Sequence, residues 1–384
     1  MSSSDELLVV AGEASGDLHG ARLLAELRRL RPGLSAFGLG GSELRAAGLD
    51  TIADSAEVAV VGITEVLKVL PRVRQVFAEL LREVDRRRPR AALLIDFPDF
   101  NLRLAGELKR RGVPVVYYVS PQVWAWRRGR VKTIARRVDR MLVLFPFEVD
   151  FYRRAGVAAI HVGHPLVDEV PPLPGAWDGG APPGEKPFRL ALLPGSRASE
   201  VAALLPAMLE TVRLLAGELP VAATLIKAPT IARETLEEAV ALSGLPVGIV
   251  AGDRFATIAG SHLALCASGT ATLEVGLLGT PMVVLYRLAG WTYVMARLLV
   301  HLPYFSLVNL VLGRAVVPEL LQRQATPPRI AAEARRLLTD AGARQAVRSG
   351  LAELRARLGE GGASGRAARE VALALAAAER GAAA

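Results

Sequence analysis

The sequence predicts an α/β chain of two Rossmann-like, doubly wound domains that face a cleft, and three observations predict it. The first is length: 384 residues exceed the roughly 250–300 that a single core sustains, so two cores are expected. The second is rhythm, because short apolar runs alternate with amphipathic segments in βαβ order. The third is a break at residues 171–187, where six prolines and four glycines in seventeen residues sustain neither helix nor strand. The expected organisation is a domain at 1–170, a linker at 171–187, a second domain at 188–340 and a helical tail at 341–384.

The elements follow in order. Leu7–Ala11, Ala91–Asp96, Val113–Val119 and Met141–Phe145 are nearly continuous in Val, Leu, Ile and Ala. The lack of alternation implies strands covered on both faces, as in a parallel sheet. Beyond the linker the same pattern restarts with Phe188–Leu193, Val221–Ile226, His262–Ala267 and Pro281–Tyr286. From Ala341 onward the chain is rich in Ala, Arg and Glu and reads as two helices joined flexibly across Gly359–Gly365. Leu288–Gly313 is the longest apolar stretch, but Arg297, His301, Pro303 and Asn309 interrupt it. A charge near the centre of a span costs about 2.5–3.5 kcal/mol, so an amphipathic, interfacial segment is expected there.

Composition narrows the partners. The net charge is +9, and Arg127, Arg128, Arg130, Lys132, Arg136, Arg137 and Arg140 crowd together. Such a face attracts nucleic acid, anionic headgroups or phosphorylated substrates, with a merely solvated helix face as the plain alternative. Asp5 and Glu6 stand where an export signal needs positive charge. Cys266, the one cysteine, reads as a buried strand thiol in the reducing cytoplasm. His161 and His164 lack partners at zinc-ligand spacing and no DxD pair is present, so a reaction without metal or cofactor is expected.

Five segments carry candidate chemistry. Gly12-Glu13-Ala14-Ser15-Gly16-Asp17 follows the opening strand, and Ser15 and Asp17 there can cap a helix beginning near Leu18, whose free amides favour anions. Its glycine spacing does not match a dinucleotide fingerprint. Ile95-Asp96-Phe97-Pro98-Asp99-Phe100-Asn101 places a carboxylate at a strand end, half-shielded by Phe97 and Phe100, where lost hydration raises its proton affinity toward that of a useful base. Asp99 reads as a helix cap. Tyr117–Trp126 is an aromatic cluster suited to a sugar face, a lipid interface or ordinary packing. Gly195-Ser196-Arg197 offers a guanidinium and amides to a diphosphate. Ser268-Gly269-Thr270 lets a nucleotide approach the backbone, with Glu274 one turn on as an acceptor for ribose hydroxyls.

Taken in order, GEASGD (12–17), IDFPDFN (95–101), YVSPQVWAW (118–126), GHP (163–165), LLPGSR (192–197), ASGTATLE (267–274) and Asn309 resemble the lipid-A-disaccharide synthase family over nearly the whole chain. The resemblance implies the two-domain GT-B arrangement and an inverting transfer between a UDP-activated acylated glucosamine donor and an acylated glucosamine 1-phosphate acceptor. It implies Asp96 as catalytic base, Arg197 at the diphosphate and Glu274 at the ribose. Ser15, Gly16, Asn101 and Asn309 would line the site. It further implies a cytoplasmic protein held peripherally on the inner membrane through Val66, Leu67, Val69 and Leu70, a segment that periodicity alone reads as a core helix. A homodimer and no nucleic-acid partner are implied as well. Phe97 stands where relatives often carry a smaller residue.

Overall fold

The computed structural model describes residues 5–58, 63–124, 128–171, 187–287 and 303–383. The chain divides into two compact units, residues 1–165 with 360–384 and residues 166–359. The linker at 171–187, apart from its two end residues, lies outside the described residues, as do 288–302 of the long apolar stretch.

The first unit holds a seven-stranded parallel sheet in the order β3-β2-β1-β4-β5-β6-β7. Its strands are β1 (Glu6–Ala11), β2 (Ser35–Gly40), β3 (Asp50–Asp54), β4 (Ala91–Ile95), β5 (Val115–Tyr118), β6 (Arg140–Val143) and β7 (Ala159–His161). β1 and β4 are buried almost throughout, as their unalternating apolar sequence requires. Helices Ala14–Leu30, Ile63–Arg87 and Pro98–Arg110 cover the sheet, and Leu80, Val84, Leu104 and Leu108 pack into one core with β1, β2, β4 and β5. Close approach dictates sequence at Gly38, where φ is +147° and a Cβ would lie 2.0 Å from the Val9 carbonyl oxygen.

The second unit holds a six-stranded parallel sheet, β10-β9-β8-β11-β12-β13. Its strands are β8 (Phe188–Leu193), β9 (Val221–Ile226), β10 (Gly248–Val250), β11 (Leu263–Ala267), β12 (Met282–Tyr286) and β13 (Glu319–Leu321). Cys266 is fully buried in β11, and burial pushes its thiol pKa up.

The expected tail divides between the units. Helix Ala341–Leu358 stays with the second sheet, whereas Ala363–Ala383 belongs to the first unit and packs along Ala14–Leu30. Polar anchors explain the attachment. Arg366 donates to the carbonyls of Val162 (2.8 Å), Gly361 (2.8 Å) and Glu360 (2.7 Å), Glu370 meets Arg140 at 2.5 Å, and Glu379 pairs with Arg31. Among the described residues no helix is long and apolar enough to cross a membrane.

Candidate active site

In each sheet the strand order reverses direction at one point, between β1 and β4 in the first unit and between β8 and β11 in the second. Loops leaving the carboxyl ends of strands beside such a point form the usual ligand crevice of open α/β sheets. The candidate segments leave from there. Ala11 is in register with Ile95, which sets Gly12–Gly16 beside Asp96–Asn101. Leu193 is in register with Cys266, which sets Gly195–Arg197 beside Ser268–Thr270.

Asp96 and Phe97 both hold left-handed backbone, with φ of +46° and +49°, a conformation uncommon outside glycine and a sign of imposed geometry. Asn101 imposes it. Its amide donates to the carbonyls of Ile95 (3.2 Å) and Asp96 (2.8 Å), and the Tyr117 hydroxyl donates to the same Asp96 oxygen at 2.5 Å. Asn101 is completely buried, and its amide fixes the turn that carries Asp96. Phe97 stacks on Phe100 at 5.2 Å between centroids and lies over Gly12, where a Cβ would stand 2.3 Å from its ring. Burial, aided by the negative charge of Glu13, pushes the Asp96 pKa up to about 6.

The opening turn differs from expectation. The first helix starts at Ala14 with no side-chain cap. Asp17 instead accepts from the amides of Gly41 (2.6 Å), Glu43 (2.9 Å) and Leu44 (3.2 Å) at the start of helix Ser42–Ala46. Ser15 is exposed beside the strand ends, while Gly16 is buried against Ile95. Asp99 is no cap either. It is exposed and pairs with Arg130 at 2.5 Å.

The aromatic cluster packs. Trp124 is buried and meets Phe147 edge to face, and residues 125–127 lie outside the described set. At its centre is Glu148, which sequence reasoning missed. Its carboxylate accepts from Ser120 (2.5 Å), Trp124 (3.0 Å) and the Phe145 amide (3.0 Å), and burial pushes its pKa up to about 7. The only signal was a glutamate near the start of a proline-initiated helix, indistinguishable in sequence from an exposed capping residue. Much of the basic run is also committed internally: Arg137 donates to the Leu102 carbonyl (2.8 Å), and Arg130 and Arg140 are paired.

In the second unit, Gly195 has φ of +120°, and a Cβ there would lie 2.5 Å from Glu200 Oε2. Glu200 occupies the anion position expected for phosphate. It accepts from the amides of Ser196 (3.1 Å) and Arg197 (3.4 Å) and from the Arg197 guanidinium (2.7 Å). Arg197 remains 77% exposed at its side chain. Gly269 has φ of +150° with open space where a Cβ would be, and Thr270 opens helix Thr270–Leu277. Ser268 donates to the Phe305 carbonyl at 2.9 Å. Glu274 is half-buried on that helix; burial pushes its pKa up, and Arg254 works against that rise.

Asn309 is committed to internal hydrogen bonds. It is buried and bonded to the Val317 carbonyl (2.9 Å), to Glu319 (2.7 Å) and to the amides of Val316 (2.8 Å) and Val317 (3.0 Å). Glu319 in turn accepts from the Phe305 amide at 2.8 Å, so Asn309 acts on Ser268 through the turn that carries Phe305. Of the membrane segment, Val66, Leu67 and Val69 lie outside the described side chains, and Leu70 is half-buried on helix Ile63–Arg87. Among the described residues no group of three His, Cys, Asp or Glu side chains could hold a metal ion.

The family profile for lipid-A-disaccharide synthetase matches residues 7–370. The chain belongs to that family. It is 50% identical over 371 residues to the lipid-A-disaccharide synthase of Anaeromyxobacter dehalogenans, covering 96% of this chain and 97% of that one. As a member of the lipid-A-disaccharide synthetase family it is a glycosyltransferase. Solved structures share the fold at low identity. The glycotransferase of kitacinnamycin has a TM-score of 0.61 at 17% identity, covering 96% of this chain and 98% of that one. The UDP-GlcNAc 2-epimerase of Neisseria meningitidis, solved with UDP-GlcNAc, has 0.57 at 10%, covering 96% and 99%. Transferases and epimerases thus share the architecture, and it is sequence that places this chain in the synthetase family.

Proposed function

We propose that the protein condenses UDP-2,3-diacylglucosamine with 2,3-diacylglucosamine 1-phosphate (lipid X), giving lipid A disaccharide 1-phosphate and UDP with inversion. Asp96 takes the proton of the acceptor's primary hydroxyl as that oxygen bonds to the donor's anomeric carbon. The bond from that carbon to the diphosphate breaks, and its electron pair leaves on UDP. Arg197, with the amides of Ser196 and Arg197, takes the diphosphate charge in place of Glu200, which must turn aside. Ser268, Gly269 and Thr270 receive the nucleotide, and Glu274 accepts from the ribose. Ser15 and the buried Gly16 border the acceptor side.

The observation that carries this reading is Asp96 in its locked left-handed turn at a switch point, with a pKa of about 6. Such a carboxylate is ionised roughly ten to one at pH 7 yet binds a proton far better than an exposed aspartate. Peripheral attachment to the inner face of the cytoplasmic membrane, with helix Ile63–Arg87 at the lipid, and a homodimer complete the proposal.

UDP release with both acylated substrates in detergent tests it. Turnover requiring both is expected, and no UDP release would sink the reading. The shared fold favours one alternative, UDP-sugar epimerisation, and incubation with UDP-N-acetylglucosamine alone separates the two. An epimer would favour that alternative.

A further inference from the structure

We propose that Arg254 is the positioning residue that presents Glu274 to the ribose of the donor. The inference rests on the reading of Glu274 as ribose acceptor. Asp253, in left-handed backbone with φ of +45°, starts the short helix Arg254–Ala259. The Arg254 guanidinium lies 4.4 Å from the centroid of the Phe255 ring and meets Glu274 by two prongs, Nε to Oε2 at 3.3 Å and Nη2 to Oε1 at 3.4 Å. A planar guanidinium stacked on an aromatic face and engaging both oxygens fixes the plane of the carboxylate. Each carboxylate oxygen offers about two acceptor positions. Arg254 uses one on each, leaving one on each, which is what the two neighbouring hydroxyls of a ribose require.

The prongs are longer than the 2.7–2.9 Å of a tight charge-assisted pair, so the carboxylate is aligned without being sequestered. Its setting calls for such a partner. Glu274 is only 16% exposed at its side chain, and the nearby negative charge of Glu169 adds to burial in favouring the proton. Arg254 acts against both, by its charge and by its hydrogen bonds.

The test compares UDP with 2′-deoxy-UDP and 3′-deoxy-UDP by equilibrium binding to the full-length protein. Loss of a hydrogen bond to a charged group weakens binding roughly ten- to a hundredfold, so the wild type should prefer UDP by about that ratio. Arg254→Gln should bring the ratio within about threefold with the protein still folded by thermal melt, Arg254→Lys should restore part of it, and adding Arg254→Gln to Glu274→Gln should change it no further. If Glu274→Gln removes the preference while Arg254→Gln leaves it, the positioning role is wrong and the ribose reading stands. An unchanged preference in Glu274→Gln sinks the ribose reading, and the inference with it. Equal weakening of all three nucleotides by Arg254→Gln shows a merely structural role and also overturns the proposal.

Discussion

Replacing Asp96 by Asn removes a charge and a proton acceptor while leaving the turn that holds them, because asparagine tolerates the left-handed backbone at this position (φ +46°) as well as aspartate does. Two effects of opposite sign should follow. Loss of a general base costs about 10²- to 10⁴-fold in turnover, read as UDP release with both acylated substrates. Stability should rise. The folded-state pKa of about 6 lies above the ordinary 3.8, so ionisation opposes folding, a penalty absent below about pH 4 and complete once pH passes about 6. The difference corresponds to about 2 kcal/mol at pH 7.5 after allowing for partial solvent access. For a unit of this size that is about 4–8 °C in Tm, shrinking to nothing near pH 4. In the wild type, kcat/KM should fall about tenfold per pH unit below about 6 and be flat above it, and the variant should lose that limb. Turnover within about threefold of wild type, or a variant less stable than wild type at pH 7.5, would refute the reasoning.

Glu148, raised to about 7 from 4.5 by burial, should make stability fall as pH rises between those values; thermal melts at pH 5 and 8 should show that slope, and Glu148→Gln should flatten it while losing about 1–3 kcal/mol to the mismatch with the Phe145 amide. Gly12→Ala should cost about 1–3 kcal/mol by pressing on the Phe97 ring, and Phe97→Ala should relieve most of that in the double variant, as urea unfolding would reveal. Asn309→Ala leaves the amides of Val316 and Val317 without their acceptor, so a loss of about 2–4 kcal/mol is expected, with a raised KM for the UDP-sugar because the turn holding Ser268 loosens.

Central strands were legible and edge strands were not. β1, β4, β8 and β11 are flanked by strands on both sides and covered on both faces, so their sequences are written almost wholly by burial. β2 is the exception among the central strands, carrying Gly38 because a neighbouring carbonyl fills the place of a side chain, and the edge strands β3, β7, β10 and β13 are largely part-exposed, so burial does not write an apolar run into them. The crossing of helix Ala363–Ala383 to the first unit rests on Arg366, Glu370 and Glu379, whose partners lie some 200 to 350 residues away in sequence. Local composition says helix; only the distant carbonyls and guanidinium groups say where it goes.

The site was legible in position but not in the division of labour among its residues. Several polar side chains after buried strands were read as groups that touch ligand, yet their environments sort them. Asp96 keeps its carboxylate at the strand end, while Asn101 spends its amide on the carbonyl beside it. Ser268 borders the glycine turn, while Asn309 holds the segment that holds Ser268. Sequence cannot make this distinction, because an asparagine that bonds to substrate and one that bonds to backbone have the same neighbours in the chain. Glu200 shows the converse. It occupies the same amides and guanidinium that the proposed diphosphate needs, so the anion affinity of that turn is already expressed by the protein's own carboxylate. Glu200→Gln, which keeps the shape and removes the competing charge, should therefore tighten UDP binding severalfold on the scale of one charge-assisted bond; weaker binding in a calorimetric titration would mean that Glu200 holds the turn open for the diphosphate rather than standing in its place.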